Sequence, residues 1–384
     1  MKVLLHSLFH ALSISSCVIY SVKHDQICLS IGHVSPIMRL GAYGLPPYHV
    51  FTLEEIEEAT NNFDPSNLMG EGSQGQLYKA WLRDGSMVLV RCLKLKQRYS
   101  PQSLLQHMEV VSKLRHRHLV SILGHCIVTY QDHPNAASTL FLVFEYVSNG
   151  ALRSHLTGKL NITNQNGFSN INSSKIIRSV CFIFDFTDWR KREMLKWPQR
   201  VAVTIGVARG IEFLHTGIAP GIYGNGLKMD NILLDENLTA KICSYNLPMS
   251  SRVGSESPFN GVEPPEHLGS VEHTEKDDIY QLGIILLEVV MGKPITSQSE
   301  VDVLKLQLEG SLSDAPSKLR GAIDPSIRGT FAYESLKIAV EITISCLSKD
   351  SSKRPSIEDV LWNLQYSLQV QDGWTTSGNL STQF

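Results

Sequence analysis

The stretch Tyr223–Pro248, YGNGLKMDNILLDENLTAKICSYNLP, predicts two short strands joined by a tight turn. The apolar runs Ile232–Leu234 and Ala240–Ile242 are strand-like, and Asp235–Asn237 between them are turn-forming residues. Lys228, a polar residue, lies four residues before the first strand. This hairpin is the point from which the rest of the chain can be placed.

The regions on either side of the hairpin differ in their patterns. Residues 67–142 are strand-rich and contain the turn sequence Arg83–Gly85, with one helix expected at Ser103–Leu114. Helical patterns dominate later in the chain. We therefore predict an α+β, two-lobed fold with a β-rich lobe at 67–145 and a larger helical lobe at 146–368. The groove between two such lobes is the expected ligand site.

Three helices can be placed from their local signals. Thr52 and Glu55 form a capping box at the start of a short helix within a linker segment, 39–66. The run Asp278–Gly292 is apolar nearly all round, which predicts a buried helix that ends at the glycine. A third helix has Pro198 in its first turn and one apolar face. That face consists of Val201, Ile205, Ala208, Ile211 and Leu214.

The composition argues for a large folded core and against nucleic-acid binding and a cysteine metal site. The chain has 384 residues, 42% of them hydrophobic, and a formal net charge of −2. The apolar fraction is sufficient for a large core, and the charge balance does not favour nucleic-acid binding. Seven cysteines are present without CxxC or metal-ligand spacing, which predicts free thiols in a reducing compartment and no metal site.

Residues 1–38 form an apolar leader. The run Val3–Tyr20 has no formal charge and is long enough for a marginal membrane span or a signal segment. Two alternatives stay open, membrane association through this run or a leader that is foreign to the native protein. At the other end of the chain, residues 369–384 are predicted to be a disordered tail.

The segment 158–187 interrupts the helical lobe. It is rich in Asn and Ser, then becomes abruptly apolar, and shows no clear helical or strand period. So long an irregular segment is unusual inside a compact domain. It is either a surface loop or translated intron sequence, and we favour the intron.

A glycine-rich turn lies between two predicted strands. Gly70, Gly72 and Gly75 have the spacing GxGxxG. Glycines at this spacing let backbone N–H groups approach phosphate. The flanking strands favour a phosphate-binding turn over a merely flexible one.

Five further motifs stand in a fixed order and together give a specific resemblance. The chain resembles the cytoplasmic part of a plant leucine-rich-repeat receptor-like kinase of the inactive type, over residues 39–371. No leucine-rich repeats occur in the sequence, so we expect only the juxtamembrane and kinase regions here. The motifs are HRHLVSILGHC (His116–Cys126), LVFEYVSNGALRSHL (Leu142–Leu156), KMDNILLDE (Lys228–Glu236), TEKDDIYQLGIILLEVVMGKP (Thr274–Pro294) and KRPSIEDVL (Lys353–Leu361).

The resemblance assigns roles in the β-rich lobe. Arg91 stands where the family has the lysine that grips the phosphates, and arginine is not an equivalent replacement at a geometric site. His107 stands at the position of the helix glutamate, while Glu109 is two residues on and points elsewhere. His107 is either a surface residue or a contact of Arg91.

The largest departures lie in the opening stretch. The family's HRD triplet falls on Gly224–Gly226, which leaves Gly226 at the position of the catalytic base. Ser244 stands where the family has the metal-binding aspartate of DFG, while Lys228 and Asn231 match the family. We therefore predict no intact catalytic residue and no Mg²⁺ site, because one amide is a poor ligand set for magnesium. Asp230 is expected to face solvent.

Residues that maintain the fold are retained. Glu266 matches the APE glutamate, Arg354 its ion-pair partner, and Asp278 the buried aspartate that holds the catalytic loop. Gly283 and Trp362 also fit the family pattern.

The resemblance implies a catalytically inactive receptor-like kinase domain, acting by protein–protein contact. We expect an active receptor-like kinase as partner, at the cytoplasmic face of the plasma membrane or in the cytoplasm. Membrane association would come from residues 3–20 or from a segment upstream of this chain. Weak ATP binding without Mg²⁺ is expected at Gly70, Gly72, Gly75, Arg91, Lys228 and Asn231. Two alternatives stay open, an atypical active Ser/Thr kinase and a non-functional receptor fragment.

Overall fold

The computed structural model describes residues 18–23, 26–31, 47–72, 75–95, 101–130, 138–156, 194–246, 271–313 and 316–380. These residues belong to two compact units. The first unit comprises Met1–Ser112 and Ile122–Tyr146, and the second comprises Lys113–Ser121 and Val147–Phe384. The predicted insert at 158–187, the run Val3–Cys17 and Glu266 lie outside the described residues.

The described part of the first unit contains an eight-stranded sheet. The strand order is β1-β2-β7-β8-β6-β5-β4, and β3 pairs in parallel with β7. The strands are β1 (Val18–Lys23), β2 (Gln26–Ile31), β3 (His49–Val50), β4 (Leu68–Gly72), β5 (Gly75–Trp81), β6 (Met87–Leu95), β7 (Ile122–Tyr130) and β8 (Ser138–Glu145).

Two helices accompany the sheet. Helix α1 (Leu53–Thr60) begins with the predicted capping box, since Thr52 accepts from the Glu55 N–H and Glu55 accepts from the Thr52 N–H. It ends at Asn61, which adopts a left-handed φ of 55°. Ile56 of α1 is fully buried in the core of the unit, so this segment is part of the folded unit and not only a linker. Helix α2 spans Pro101–Ser112.

The leader predicted for residues 1–38 contains an ordered hairpin at its end. Strands β1 and β2 pair with each other, and β2 continues the sheet by pairing with β7. The run VIYSVK is rich in β-branched and aromatic residues, and QICLSI contains two isoleucines; these residue types favour strands. The length and apolarity of this region do not by themselves predict the hairpin. Among the described helices, none has the length and apolarity needed to cross a membrane.

The boundary between the lobes differs from the prediction. Residues 113–121 were assigned to the β-rich lobe, but the segment belongs to the second unit. The reason is a set of backbone hydrogen bonds, from the Val120 N–H to Ile242 O and from the Ile242 N–H to His118 O, both 2.9 Å. The predicted continuous range 67–145 is therefore wrong at this segment.

The second unit is mainly helical. Its two-stranded sheet pairs β9 (Ile232–Leu234) with β10 (Ala240–Ile242), as predicted from the opening stretch. Helix α4 ends at Gly292, which has a φ of +65°. The helices are α3 (Trp197–Thr216), α4 (Val271–Met291), α5 (Gln298–Ser313), α6 (Pro316–Ala322), α7 (Tyr333–Cys346) and α8 (Ile357–Leu380).

The prediction of a disordered tail at 369–384 is wrong for most of its length, because α8 continues to Leu380. Gln371 explains the extension. Its side chain is fully buried, and its Oε1 accepts from the Ala332 N–H at 2.8 Å. Trp362 is predicted to maintain the fold, but its side chain on α8 is 63% exposed. Its ring stacks on that of Tyr366, with 5.4 Å between the ring centroids.

Candidate functional site

The glycine-rich turn connects β4 to β5. Gly72 and Gly75 are paired across the turn, and Ser73 and Gln74 between them lie outside the described residues. Gly75 has a φ of +86°, and a Cβ added there would stand 2.0 Å from the backbone oxygen of Cys92. Only glycine fits this position, both for its conformation and for the close approach of β6.

Arg91 lies on β6 between two neighbouring strands. It pairs with Leu77 of β5 on one side and with Leu142 of β8 on the other. The residue is 6% exposed, and its guanidinium carbon lies 5.2 Å from the centre of the Phe144 ring. The positive charge is therefore inside the first unit, where a cation–π contact stabilises it.

His107 occupies a half-buried position on α2. Among the side chains of this helix that the structure describes, the buried ones are Leu104, Met108, Val111 and Ser112, so His107 flanks the inner face. Glu109 is exposed. A contact of His107 with Arg91 stays a prediction.

Gly226 lies in the loop before β9, in the second unit. Its φ is +60°, and among the described residues other than its two chain neighbours, none has an atom within 4 Å of a Cβ added there. The amide of Asn231, which is buried, donates to the Gly226 carbonyl at 3.5 Å. Burial lowers the pKa of the nearby Lys228 ammonium, and the Asp230 carboxylate opposes this shift. The loop thus presents an amide and an ammonium, with open space where a side chain of residue 226 would begin.

Asp278 anchors this loop from helix α4. The carboxylate is fully buried and accepts from the Asn225 N–H at 2.7 Å and from the Asn225 side-chain amide at 2.8 Å. His215 Nε2 lies 2.9 Å from Asp278 Oδ2. Because a carboxylate only accepts hydrogen bonds, this nitrogen carries the proton. Asp278 has the structural role that the sequence predicted.

Asn225 extends the anchor to the segment after β10. Its Oδ1 accepts from the Asn246 N–H at 3.1 Å, and the Asn246 side chain donates to Tyr223 O at 3.1 Å. Ser244 is half-buried two residues earlier. We call the set His215, Asn225, Asn246 and Asp278 the loop anchor. Sequence reasoning did not identify His215, Asn225 and Asn246 as members, although an asparagine inside a catalytic triplet is a visible departure.

Asp230 is engaged by a cation. It forms an ion pair with Arg153, and the Arg153 Nη2 also lies 3.4 Å from Glu288 Oε2. Glu288 is buried, and burial raises the pKa of its carboxyl, an effect that Arg153 opposes. The Asp230 side chain is 53% exposed, close to the prediction, but its ion pair was not foreseen.

Arg354 is buried beneath the start of α4. Its Nη1 donates to Lys276 O at 2.9 Å and to Asp277 Oδ1 at 3.4 Å. The guanidinium carbon also lies 4.7 Å from the centre of the Tyr280 ring. The predicted partner Glu266 lies outside the described residues, so that ion pair stays a prediction.

The sequence profile of the protein tyrosine and serine/threonine kinase family matches residues 64–364, most of the chain. The chain belongs to this kinase family. The kinase fold predicted from the motifs, with its α+β composition, is confirmed.

This kinase domain is similar to plant receptor-like kinases. It is 55% identical over 349 residues to a probable LRR receptor-like serine/threonine-protein kinase of Arabidopsis thaliana, covering 90% of this chain and 42% of that protein. A probable inactive leucine-rich repeat receptor-like protein kinase of the same plant is 46% identical over 354 residues, covering 91% and 40%. The chain thus spans less than half the length of these relatives.

A solved structure of similar fold is the pseudokinase domain of BIR2, described as an immune regulator of the RLK/Pelle family. The TM-score is 0.60 at 28% identity, with 83% of this chain and 86% of that chain covered. The recognition of a receptor-like kinase domain from its motifs is therefore confirmed.

The kinase register allows a test of whether the residues fit magnesium. The metal positions hold the Asn231 amide and the Ser244 hydroxyl, and neither is the carboxylate that Mg²⁺ prefers. Among the residues with described positions, no group of three or more His, Cys, Asp or Glu could hold a metal ion. The donor set at this kinase site does not fit the metal.

Proposed function

We propose that this receptor-like kinase domain is catalytically inactive and acts in signalling through protein–protein contacts. The observation that carries the proposal is Gly226, which stands at the base position with no side chain and with open space beyond its Cα. A general base contributes roughly 10²–10⁴ in rate, and the metal contributes further charge stabilisation. With Ser244 replacing the metal carboxylate, both contributions are lost together.

The loop anchor supports a role as a scaffold. Asp278 and Asn225 hold the catalytic loop in shape through buried hydrogen bonds, without any group that would act on a substrate. A folded loop with no chemistry is suited to a binding surface. The expected partner is an active receptor-like kinase, at the cytoplasmic face of the plasma membrane or in the cytoplasm.

Nucleotide binding is proposed to be weak and independent of Mg²⁺. Gly70, Gly72 and Gly75 keep the GxGxxG spacing of a phosphate-binding turn, which supports binding. Arg91 is cationic but largely buried against Phe144, which weakens its use as a phosphate ligand. Thermal melting with millimolar ATP should give a small upward shift that is equal with and without Mg²⁺. The absence of any shift would refute nucleotide binding.

The test of inactivity is a phosphoryl-transfer assay with labelled ATP on the full chain. The natural chain should show no transfer above background with Mg²⁺ or Mn²⁺. Arg91→Ala serves as the control for an atypical active kinase, because activity that depends on Arg91 would overturn the proposal.

A restored variant makes the negative result informative. Gly226→Asp with Ser244→Asp returns both carboxylates, and Arg91→Lys with His107→Glu returns the ion pair expected in the family. The matched control carries Asn instead of Asp at positions 226 and 244. Transfer by the restored variant but not by its Asn control would show that the lost carboxylates cause the inactivity.

A further inference from the structure

The second unit contains a cavity of about 510 Å³ that the kinase chemistry does not use. Helices α3 and α8, the turn between β9 and β10, and the segment at 117–118 form its walls. Its volume is within the range of ligand-binding clefts, roughly 300–1,000 Å³. Its lining includes Arg117, Ile205, Arg209, Gln365, Leu368 and Gln369.

The charge at the cavity is predominantly positive. Arg117 and Arg209 line it and are exposed, and within the described part of the chain neither has a salt bridge or a side-chain hydrogen bond. Asp372 is the acidic residue of the lining. Burial lowers the pKa of His118 to about 4, and Arg117 and Arg209 add to the shift. This imidazole is therefore neutral at physiological pH, and the cationic character comes from the two arginines.

An exposed aromatic pair continues the surface beyond the cavity. Trp362 and Tyr366 stack on each other along α8, the helix that also supplies Gln365 and Gln369 to the cavity. Residues three and four apart on a helix are neighbours, so the pair lies beside the cavity wall. Trp, Tyr and Arg are the residue types that dominate binding energy at protein interfaces.

We propose that this cavity and the adjoining aromatic pair dock an extended acidic segment of a partner protein. Carboxylates of the segment bind Arg117 and Arg209, and an apolar side chain packs against Ile205 and Leu368. The amides of Gln365 and Gln369 offer donors and acceptors to the peptide backbone. This inference rests on the proposed function, and it assigns the residues of the docking surface and the charge of the segment that binds there.

A random decapeptide display library tests the proposal on the full chain. Selected peptides should be enriched in Asp and Glu with at least one apolar residue. An enriched peptide, labelled for fluorescence anisotropy, should bind at least tenfold more weakly to the Arg117→Ala/Arg209→Ala variant. A matched peptide with Gln and Asn in place of the acids should lose a similar factor.

Two control variants separate charge, shape and folding. Lys349→Ala/Lys353→Ala removes the same charge from residues outside the cavity lining and should bind normally. Ala202→Trp, at an exposed position of the lining, fills the cavity without changing charge and should block binding. Melting temperatures show that each variant is folded.

Three results would overturn the proposal. They are a library without acidic enrichment, equal binding by the Arg117→Ala/Arg209→Ala variant, and dissociation of a dimer of the natural chain by those substitutions, which would make the occupant a second copy. Phosphoryl transfer is measured separately, so a failure of peptide binding leaves the proposed inactivity standing, and the reverse also holds.

Discussion

Replacing Asn225 by aspartate tests whether the loop anchor holds the catalytic loop. The Asn225 amide donates to the buried Asp278 carboxylate at 2.8 Å and to Ile222 O at 3.1 Å. In the Asn225→Asp variant a second carboxyl group faces Asp278 in place of this amide. Two carboxylates at such a distance do not both ionise, so the new group keeps its proton in the folded state.

The magnitude follows from linkage between proton binding and folding. An unfolded aspartate has a pKa of about 3.9, and the pKa of the introduced group is raised well above this in the folded state. The folded variant binds the extra proton, so its stability relative to the natural chain is largest below pH 4 and falls as pH rises. The loss is about 1.4 kcal/mol per pH unit until the folded pKa is passed. Between pH 5 and pH 7 it amounts to about 3 kcal/mol.

Thermal denaturation of the full chain at pH 5 and pH 7 measures this effect. A loss of about 3 kcal/mol corresponds to a lowering of Tm by roughly 6–12 °C for a domain of this size. Asn225→Ala is the control, because it removes the same side-chain hydrogen bonds without adding a titrating group, and its cost should not change with pH. Parallel pH curves for the two variants would refute the reasoning.

Two further substitutions test the packing of each unit. Arg200→Lys should lower the free energy of unfolding of the second unit by about 3–5 kcal/mol, measured by urea denaturation. The buried Arg200 guanidinium forms a 2.7 Å salt bridge to Asp324 and several hydrogen bonds, which one ammonium cannot replace. A loss below about 1 kcal/mol would contradict this. Gly75→Ala should cost about 1–3 kcal/mol more than Gly85→Ala, because both glycines have φ near +85° but only Gly75 would place its Cβ against Cys92 O. Equal melting temperatures of the two alanine variants would show that the close approach is not rigid.

The elements that could be predicted from the sequence are those whose signal is local. The capping box of Thr52 and Glu55 and the glycine at 292 that ends α4 are formed by neighbouring residues, and the structure shows both. The hairpin of β9 and β10 follows from its turn residues in the same way. Such elements depend on backbone hydrogen bonding within a few residues, which a short sequence window contains.

The elements that were missed depend on distant partners. Segment 113–121 belongs to the second unit because of hydrogen bonds to Ile242, more than a hundred residues away. The end of α8 is held by Gln371, whose buried amide bonds to Ala332. The ion pair of Asp230 with Arg153 likewise joins separate elements. No local pattern contains this information, because tertiary contacts override local propensity.

The anchor was missed for a different reason. The family pattern has charged residues at the catalytic triplet, and this pattern does not indicate a structural role for an asparagine there. Asn225 shows that a neutral residue can satisfy a buried carboxylate with two donors, one from the backbone and one from the side chain. A hydrogen-bond count for Asp278, required of any buried carboxylate, would have pointed to an amide at this place.

The fold of this domain depends on its buried polar residues and little on the side chain at position 226. Asp278 and Arg354 are buried and hydrogen-bonded, so removing either would leave partners unsatisfied and cost several kcal/mol. At Gly226 no described residue other than the two chain neighbours has an atom within 4 Å of an added Cβ, so a side chain there contributes little to the packing of the described residues. Asp is among the residues that tolerate its left-handed φ, at a cost of about 1 kcal/mol. A side chain that acts as a base can therefore be lost or regained at this position with little change in the free energy of unfolding. Stability and catalytic activity can thus change independently in this chain.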